Sequence, residues 1–317
     1  MMNSDLSPAT PPLPLDPPGP KPTRSQRFWA FPVTRIVLYL LVFAAIALAA
    51  FLLLGGVLLL LHLRHGSNPQ LFMLVGEALA AASAVLAFWI MVRADKRPWS
   101  TAGWTLRGLA RLLLGGAAIG AAMLSVSVGV LWLLGCYYVT AITPSVLLFA
   151  PLGLYFTVAV FEETLFRGYL FQTLEGRWGS GVALTVSSLI FGLAHLGNHV
   201  PGETGWQRLA GPVTICLEAG LPLGAAYLLS RRWWLPIGLH WAWDYFEGPI
   251  YGCPDSGTHD PHTLLHATLT GPLVLTGGAF GPEAGLVTLV VGTAAGVLLL
   301  RAAVWRGQWR PLPRRAT

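Results

Sequence analysis

The stretch IVLYLLVFAAIALAAFLLLGGVLLLLH, residues 36–62, decides the fold class. It holds no Asp, Glu, Lys or Arg and exceeds the roughly 20 apolar residues that carry a helix across a bilayer. A backbone in lipid has to satisfy its own polar groups, so this segment reads as a transmembrane α-helix. Working outward, seven more apolar segments follow at about 70–92, 109–134, 145–174, 181–199, 211–229, 233–248 and 284–304. The expected architecture is all-α: a polytopic integral membrane helical bundle of about eight transmembrane helices. The composition agrees, with 54% hydrophobic and 11% charged residues against roughly 25% charge in a soluble domain. A water-soluble globule is excluded.

The 20 Lys and Arg residues outnumber 14 Asp and Glu, but the basic residues flank the spans instead of forming one patch. They therefore read as topology signals and not as a nucleic-acid surface. With the N-terminus inside, 18 of the 20 fall in alternate loops, and only Arg64 and Arg208 lie outside. Both termini are expected on the cytoplasmic side. Eighteen of the basic residues are Arg and two are Lys, which suggests a GC-rich genome; the expected location is a bacterial inner (cell) membrane. The expected partners are the lipid bilayer and a membrane-associated substrate, with no nucleic acid; oligomeric state is left open.

Residues 1–30 contain eight prolines and no apolar run, so a disordered cytoplasmic tail is expected there. The first two helices occupy 31–95, a functional core 96–305, and a basic cytoplasmic tail 306–317. Gly116 with Gly120 and Gly292 with Gly296 have the small-xxx-small spacing of close helix packing. Trp29, Trp99, Trp104, Trp233, Trp234 and Trp305 read as interfacial anchors. Cys136, Cys216 and Cys253 fit no zinc or disulfide framework; buried thiols are the favoured reading, a Cys136–Cys253 disulfide the alternative.

Ionisable groups inside a bilayer cost about 2.5–3.5 kcal/mol each, so their placement is informative. They gather as Glu162, Glu163 and Arg167 in the fourth segment, His195 and His199 in the fifth, Glu218 in the sixth, and His240, Asp244 and Glu247 in the seventh. Glu77 stands apart, near a helix end within reach of the interface. Helical spacing pairs Glu163 with Arg167 at i,i+4 and turns Glu162 about 100° away from Glu163. It sets Phe191 one turn below His195, and lets Asp244 fix the orientation of His240. Taken singly, each cluster is as well explained by packing or interhelical hydrogen bonds; three on the fourth, fifth and seventh segments suggest a convergent polar site. His259, His262 and His266 read as a solvated loop, His199 and Glu203 as interfacial, and Glu283 as a helix N-terminal acid.

The motifs Glu162-Glu163-x-x-x-Arg167, Phe191-x-x-x-His195 and His240-x-x-x-Asp244, in this order on successive apolar segments, resemble those of the CPBP family of intramembrane endopeptidases. That family includes CAAX prenyl protease 2 (Rce1-like), bacteriocin-processing and lysostaphin-resistance-protein-A-like membrane proteins. The stretch Arg97 to Trp104 also looks like the family's lead-in to the third span, and the resemblance covers roughly 95–300. It implies a membrane endopeptidase in which Glu162 and His195 hold and activate a water. It further implies that Glu163 and Arg167 support the site and that His240 and Asp244 stabilise the oxyanion. Asp244 stands where Asn is common in the family; an ionised Asp cannot donate, so it either carries a proton or orients His240.

No cofactor is expected. Two His and a Glu would suit zinc, but there is no His-Glu-x-x-His and Arg167 disfavours a further cation, so a metalloprotease is the second reading. A proton-coupled transporter, or a non-catalytic immunity or scaffold protein, would carry the same polar residues for other reasons.

Overall fold

The computed structural model describes residues 28–29, 31–60, 69–198, 200 and 205–312. The proline-rich tail expected to be disordered (1–30, of which only 28 and 29 are described), Arg64, His199, Glu203 and the end of the basic tail (313–317) fall outside it. The described chain is helical with almost no sheet. Helices α1 (Pro32–Leu60), α2 (Pro69–Ala94) and α3 (Leu109–Leu133) precede a short strand, β1 (Tyr137–Ile142). Helix α4 (Ala150–Glu163) continues through a π-helical turn, Thr164–Leu170, into α5 (Phe171–Ala194). After these come α6 (Gln207–Glu218), α7 (Gly220–Ser230) and α8 (Trp234–Tyr245), which ends in a second π-helical turn, Phe246–Ile250. Strand β2 (Leu265–Leu269) and α9 (Leu286–Trp305) complete the order. The strands pair antiparallel, Tyr137 opposite Leu269 and Ile142 opposite Leu265.

Among the described residues six helical stretches are long and apolar enough to cross a membrane, where about eight were expected. The difference has two local causes. Val146–Gly197 joins two of the expected segments end to end over 52 residues, more than the roughly 20 that cross a bilayer. Gly179 breaks it, with φ 77° and ψ 173°. The seventh segment falls short because α8 has only 12 residues before its backbone widens into the π turn.

Glycines set the closest approaches. A Cβ on Gly116 or Gly120 would run into the backbone of Leu235 or Leu239, so α3 and α8 touch main chain to main chain. Gly292 meets the backbone of Glu218 and Gly296 meets Leu221 and Pro222, seating α9 on α6 and α7. Both expected small-residue pairs are packing devices. Because backbone cannot retreat as a side chain can, Gly120→Ala is expected to lower stability by about 1–3 kcal/mol, read as a fall in thermal unfolding temperature in detergent. An unchanged midpoint would show that α3 and α8 separate freely.

The tryptophan reading needs correction. Trp29 and Trp305 are exposed, but Trp233 is fully buried and Trp234 nearly so. Gly103 and Gly168 leave room for the Trp233 ring, which packs 4.5 Å from Phe88 and 5.0 Å from Trp104, centroid to centroid. All three cysteines are free and buried, so the disulfide alternative is not formed.

Arg35, Arg97, Arg231 and Arg310 collect at one end of the bundle. Arg35 pairs with Asp95, Arg97 donates to Gln172 (2.5 Å), and Glu175 receives both Arg231 (2.6 Å) and Arg310 (3.4 Å). The sheet and the 249–283 loop close the other end, where Tyr137 donates to the Tyr251 carbonyl (2.7 Å) and Tyr155 to Asp260 (2.6 Å).

Candidate active site

The three motifs meet in the bundle. Glu163 and Arg167 form the expected pair at 2.7 Å, both fully buried, and Arg167 also donates to the Gly220 carbonyl at 3.3 Å. The Arg167 guanidinium lies 4.3 Å from the centre of the Phe191 ring, a cation–π contact that joins the first motif to the second. Arg167 sits in the π-helical turn, a backbone form frequent at functional sites because it re-aims side chains within a helix.

His240 is the hub. Its Nδ1 lies 3.1 Å from Oε1 of Glu163, the same oxygen that accepts from Arg167, so the Nδ1 proton donates there. Nε2 then faces Asp244 Oδ2 at 3.5 Å and Glu162 Oε2 at 3.7 Å. Phe191 packs edge-on to His240 (5.9 Å) and against His195 (5.0 Å). His195 bonds through Nδ1 to the Phe191 carbonyl at 2.8 Å, which fixes the tautomer and leaves Nε2 as the acceptor in the neutral ring.

Glu162, His195, His240 and Asp244 line a cavity of about 310 Å³. Glu162 is 20% exposed and its Oε2 has no hydrogen-bond partner among the described residues. Glu163 and Arg167 stand behind the cavity wall. All six residues singled out by motif are therefore brought together, four at the cavity and two supporting it.

The lining includes Met73, Leu154, Asn198 and Asp255 to Thr258, all at the end away from the arginines. The 249–283 loop folds back over the helix ends, held by Gly257 N–H to the Phe280 carbonyl (2.8 Å) and Ser256 to Glu283 (2.7 Å). Glu77, read as interfacial, also lines the cavity, as do Glu218 and Glu283. A polar residue one or two turns inside an apolar helix was the available signal for Glu77; nothing in the sequence pointed to the loop.

Burial pushes the Cys253 thiol up to about 12, so it holds no thiolate and makes no nucleophile. Burial also raises the Asp260 carboxyl, partly offset by the hydrogen bond from Tyr155. His259, His262 and His266 form no metal-sized group among the described residues, nor do Glu162, His195 and His240.

Residues 144–246 match the family model described as Rce1-like, type II CAAX prenyl endopeptidase Rce1-like. The matched segment holds all six motif residues. No curated protein and no solved structure matches the chain. The match supports a CPBP-family intramembrane protease, and with the apolar helices an integral membrane protein.

Proposed function

We propose, on the premise that residues 144–246 form an Rce1-like domain, that this chain is an endopeptidase cutting membrane-associated proteins or peptides with a water activated by Glu162 and His195. The observation that carries the reading is the free carboxylate of Glu162 facing a shared cavity with His195, His240 and Asp244. Water held between Glu162 and Nε2 of His195 loses a proton to the Glu162 carboxylate as its oxygen attacks the carbonyl carbon. The resulting oxyanion needs a donor. Nδ1 of His240 is committed to Glu163, which turns its Nε2, 3.5 Å from Asp244, towards the cavity where the oxyanion forms. Asp244, one helical turn away, orients His240 there. Collapse of the intermediate breaks the C–N bond, and Glu162 returns its proton to the leaving amine.

The substrates we infer are peptides in maturation or membrane proteins being trimmed, with prenylated proteins included only in a cell that prenylates. Mass spectrometry of membrane and released peptides, from cells carrying the wild-type chain or Glu162→Gln, tests this. Fragments present only with the wild type support it, and identical peptide sets reject it in favour of a scaffold.

We further propose that no zinc takes part, since donor atoms of Glu162, His195 and His240 do not close on one another to within 4.8 Å. Cleavage is expected to be unchanged in 1,10-phenanthroline with calcium supplied. Loss of activity restored by added zinc would establish the metalloprotease instead.

A further inference from the structure

A second set of buried acids, two of which line the same cavity, is distinct from the motif residues. One carboxylate oxygen from each of Glu247, Asp255 and Glu283 lies within 4.8 Å of the others. The three residues are 0%, 9% and 6% exposed. Among the described residues none of them forms an ion pair. Glu283 Oε2 accepts from the Ser256 amide (3.1 Å) and hydroxyl (2.7 Å), but neither oxygen of Glu247 has any partner.

A separate residue shows the same deficit. Glu218, fully buried on α6, has both oxygens unpartnered and lines the cavity wall with Asp255 and Glu283. Buried polar groups are nearly always satisfied, and two carboxylates without a donor among four acids leave open lone pairs of one sign. Gly281, at φ 114°, borders the same space: a Cβ there would strike the Pro254 carbonyl and lie 3.5 Å from Glu247 Oε1. The glycine keeps a gap open between two oxygens.

We infer that Glu247, Asp255 and Glu283 bind a hard divalent cation of calcium's size, with the Pro254 carbonyl beside them and Glu218 adding negative charge. The donors are all oxygen, which suits calcium or magnesium and not zinc. Oxygens on opposite sides of calcium stand about 4.6–5.2 Å apart, and those across magnesium about 4.0–4.2 Å. The three donor oxygens lie within 4.8 Å of one another, close enough for one ion of either size, and magnesium's reluctance to shed water favours calcium where the ligands are all protein oxygens.

The three ligands come from different pieces of chain: the π-helical turn after α8, the turn at 253–258, and the short turn Pro282–Ala284 that leads into α9. A cation joining them fastens the loop over the cavity, because Gly257 and Thr258, in the same turn as Asp255, line its mouth.

The test uses the full chain purified in detergent, stripped with a chelator, and titrated separately with calcium, magnesium and zinc chlorides. Calcium at a hundredfold excess over its dissociation constant is expected to raise the unfolding temperature by about 5 °C, with magnesium giving less and zinc nothing. Glu247→Gln and Asp255→Asn remove ligand charge at nearly constant shape, so both are expected to fold and to lose the calcium response. No calcium shift in the wild type, or an equal shift in wild type and both variants, overturns the site. Should either variant fail to fold, equilibrium dialysis of the wild type with radioactive calcium decides: one bound ion per chain supports the site, none overturns it. None of these readouts involves cleavage, so they stand or fall apart from the role of Glu162.

Discussion

Glu162→Gln is expected to lower cleavage by about 10²–10⁴-fold while leaving the unfolding temperature within a degree or two of wild type. The glutamine keeps the volume and the acceptor oxygen but cannot take a proton from water. Little stability is at stake, because Glu162 reaches the cavity and the nearest charged neighbour of its Oε2, His240 Nε2, stands 3.7 Å away, beyond hydrogen-bond distance. Cleavage of a membrane substrate and thermal unfolding, measured on the same preparation, check both halves. Full cleavage by the variant would remove Glu162 from the mechanism. Full biological function without any cleavage would instead favour the immunity or scaffold reading.

Glu163→Ala is expected to do the opposite, unfolding the protein before its chemistry can be assayed. It strands the Arg167 guanidinium, fully buried, without its carboxylate, at a cost of about 3–5 kcal/mol. That is a large share of a typical 5–15 kcal/mol stability. Replacing both members, Glu163→Leu with Arg167→Met, is expected to recover most of the loss, since a buried pair contributes little net stability over apolar groups of similar size. Cleavage should not recover, because His240 loses the acceptor that fixes its Nδ1 proton. A single variant as stable as wild type, or a double variant with normal cleavage, would refute the supporting role.

These two glutamates, adjacent in sequence, illustrate what was legible. The i,i+4 rule separated them correctly, assigning Glu163 to Arg167 and leaving Glu162 free, because both relations lie within one helical turn. The same locality exposed Phe191 below His195 and Asp244 beside His240. Contacts set by the tertiary path were not legible. Trp233 carries the same local signature as Trp305, an aromatic at a helix end beside arginine, and only the space left by Gly103 and Gly168 draws it inward. The roof over the cavity depends on Tyr155 meeting Asp260 and Ser256 meeting Glu283, partners 105 and 27 residues apart, which no periodicity reveals. The π-helical turns have no composition of their own and replace ordinary helix where the hydrophobic pattern continues unbroken.

The break at Gly179 bears on how the protein is made. A Cβ at that position would collide with the backbone of Arg310, Pro311 and Leu312, so the closing segment of the described chain fills the notch. The Ser180 amide donates to the Arg310 carbonyl (2.8 Å), and the Arg310 amide to the Ser180 hydroxyl (2.9 Å). Glu175, one turn before the notch, takes Arg310 and Arg231 together. The two arms that meet there are the ones bearing Glu162 and His195. A nascent chain therefore holds every motif residue once Asp244 has been added, yet lacks the wedge that sets the angle between those arms until residues 308–312 have left the ribosome. The arrangement of Glu162 and His195 is thus completed by residues made after every motif residue is already in the chain.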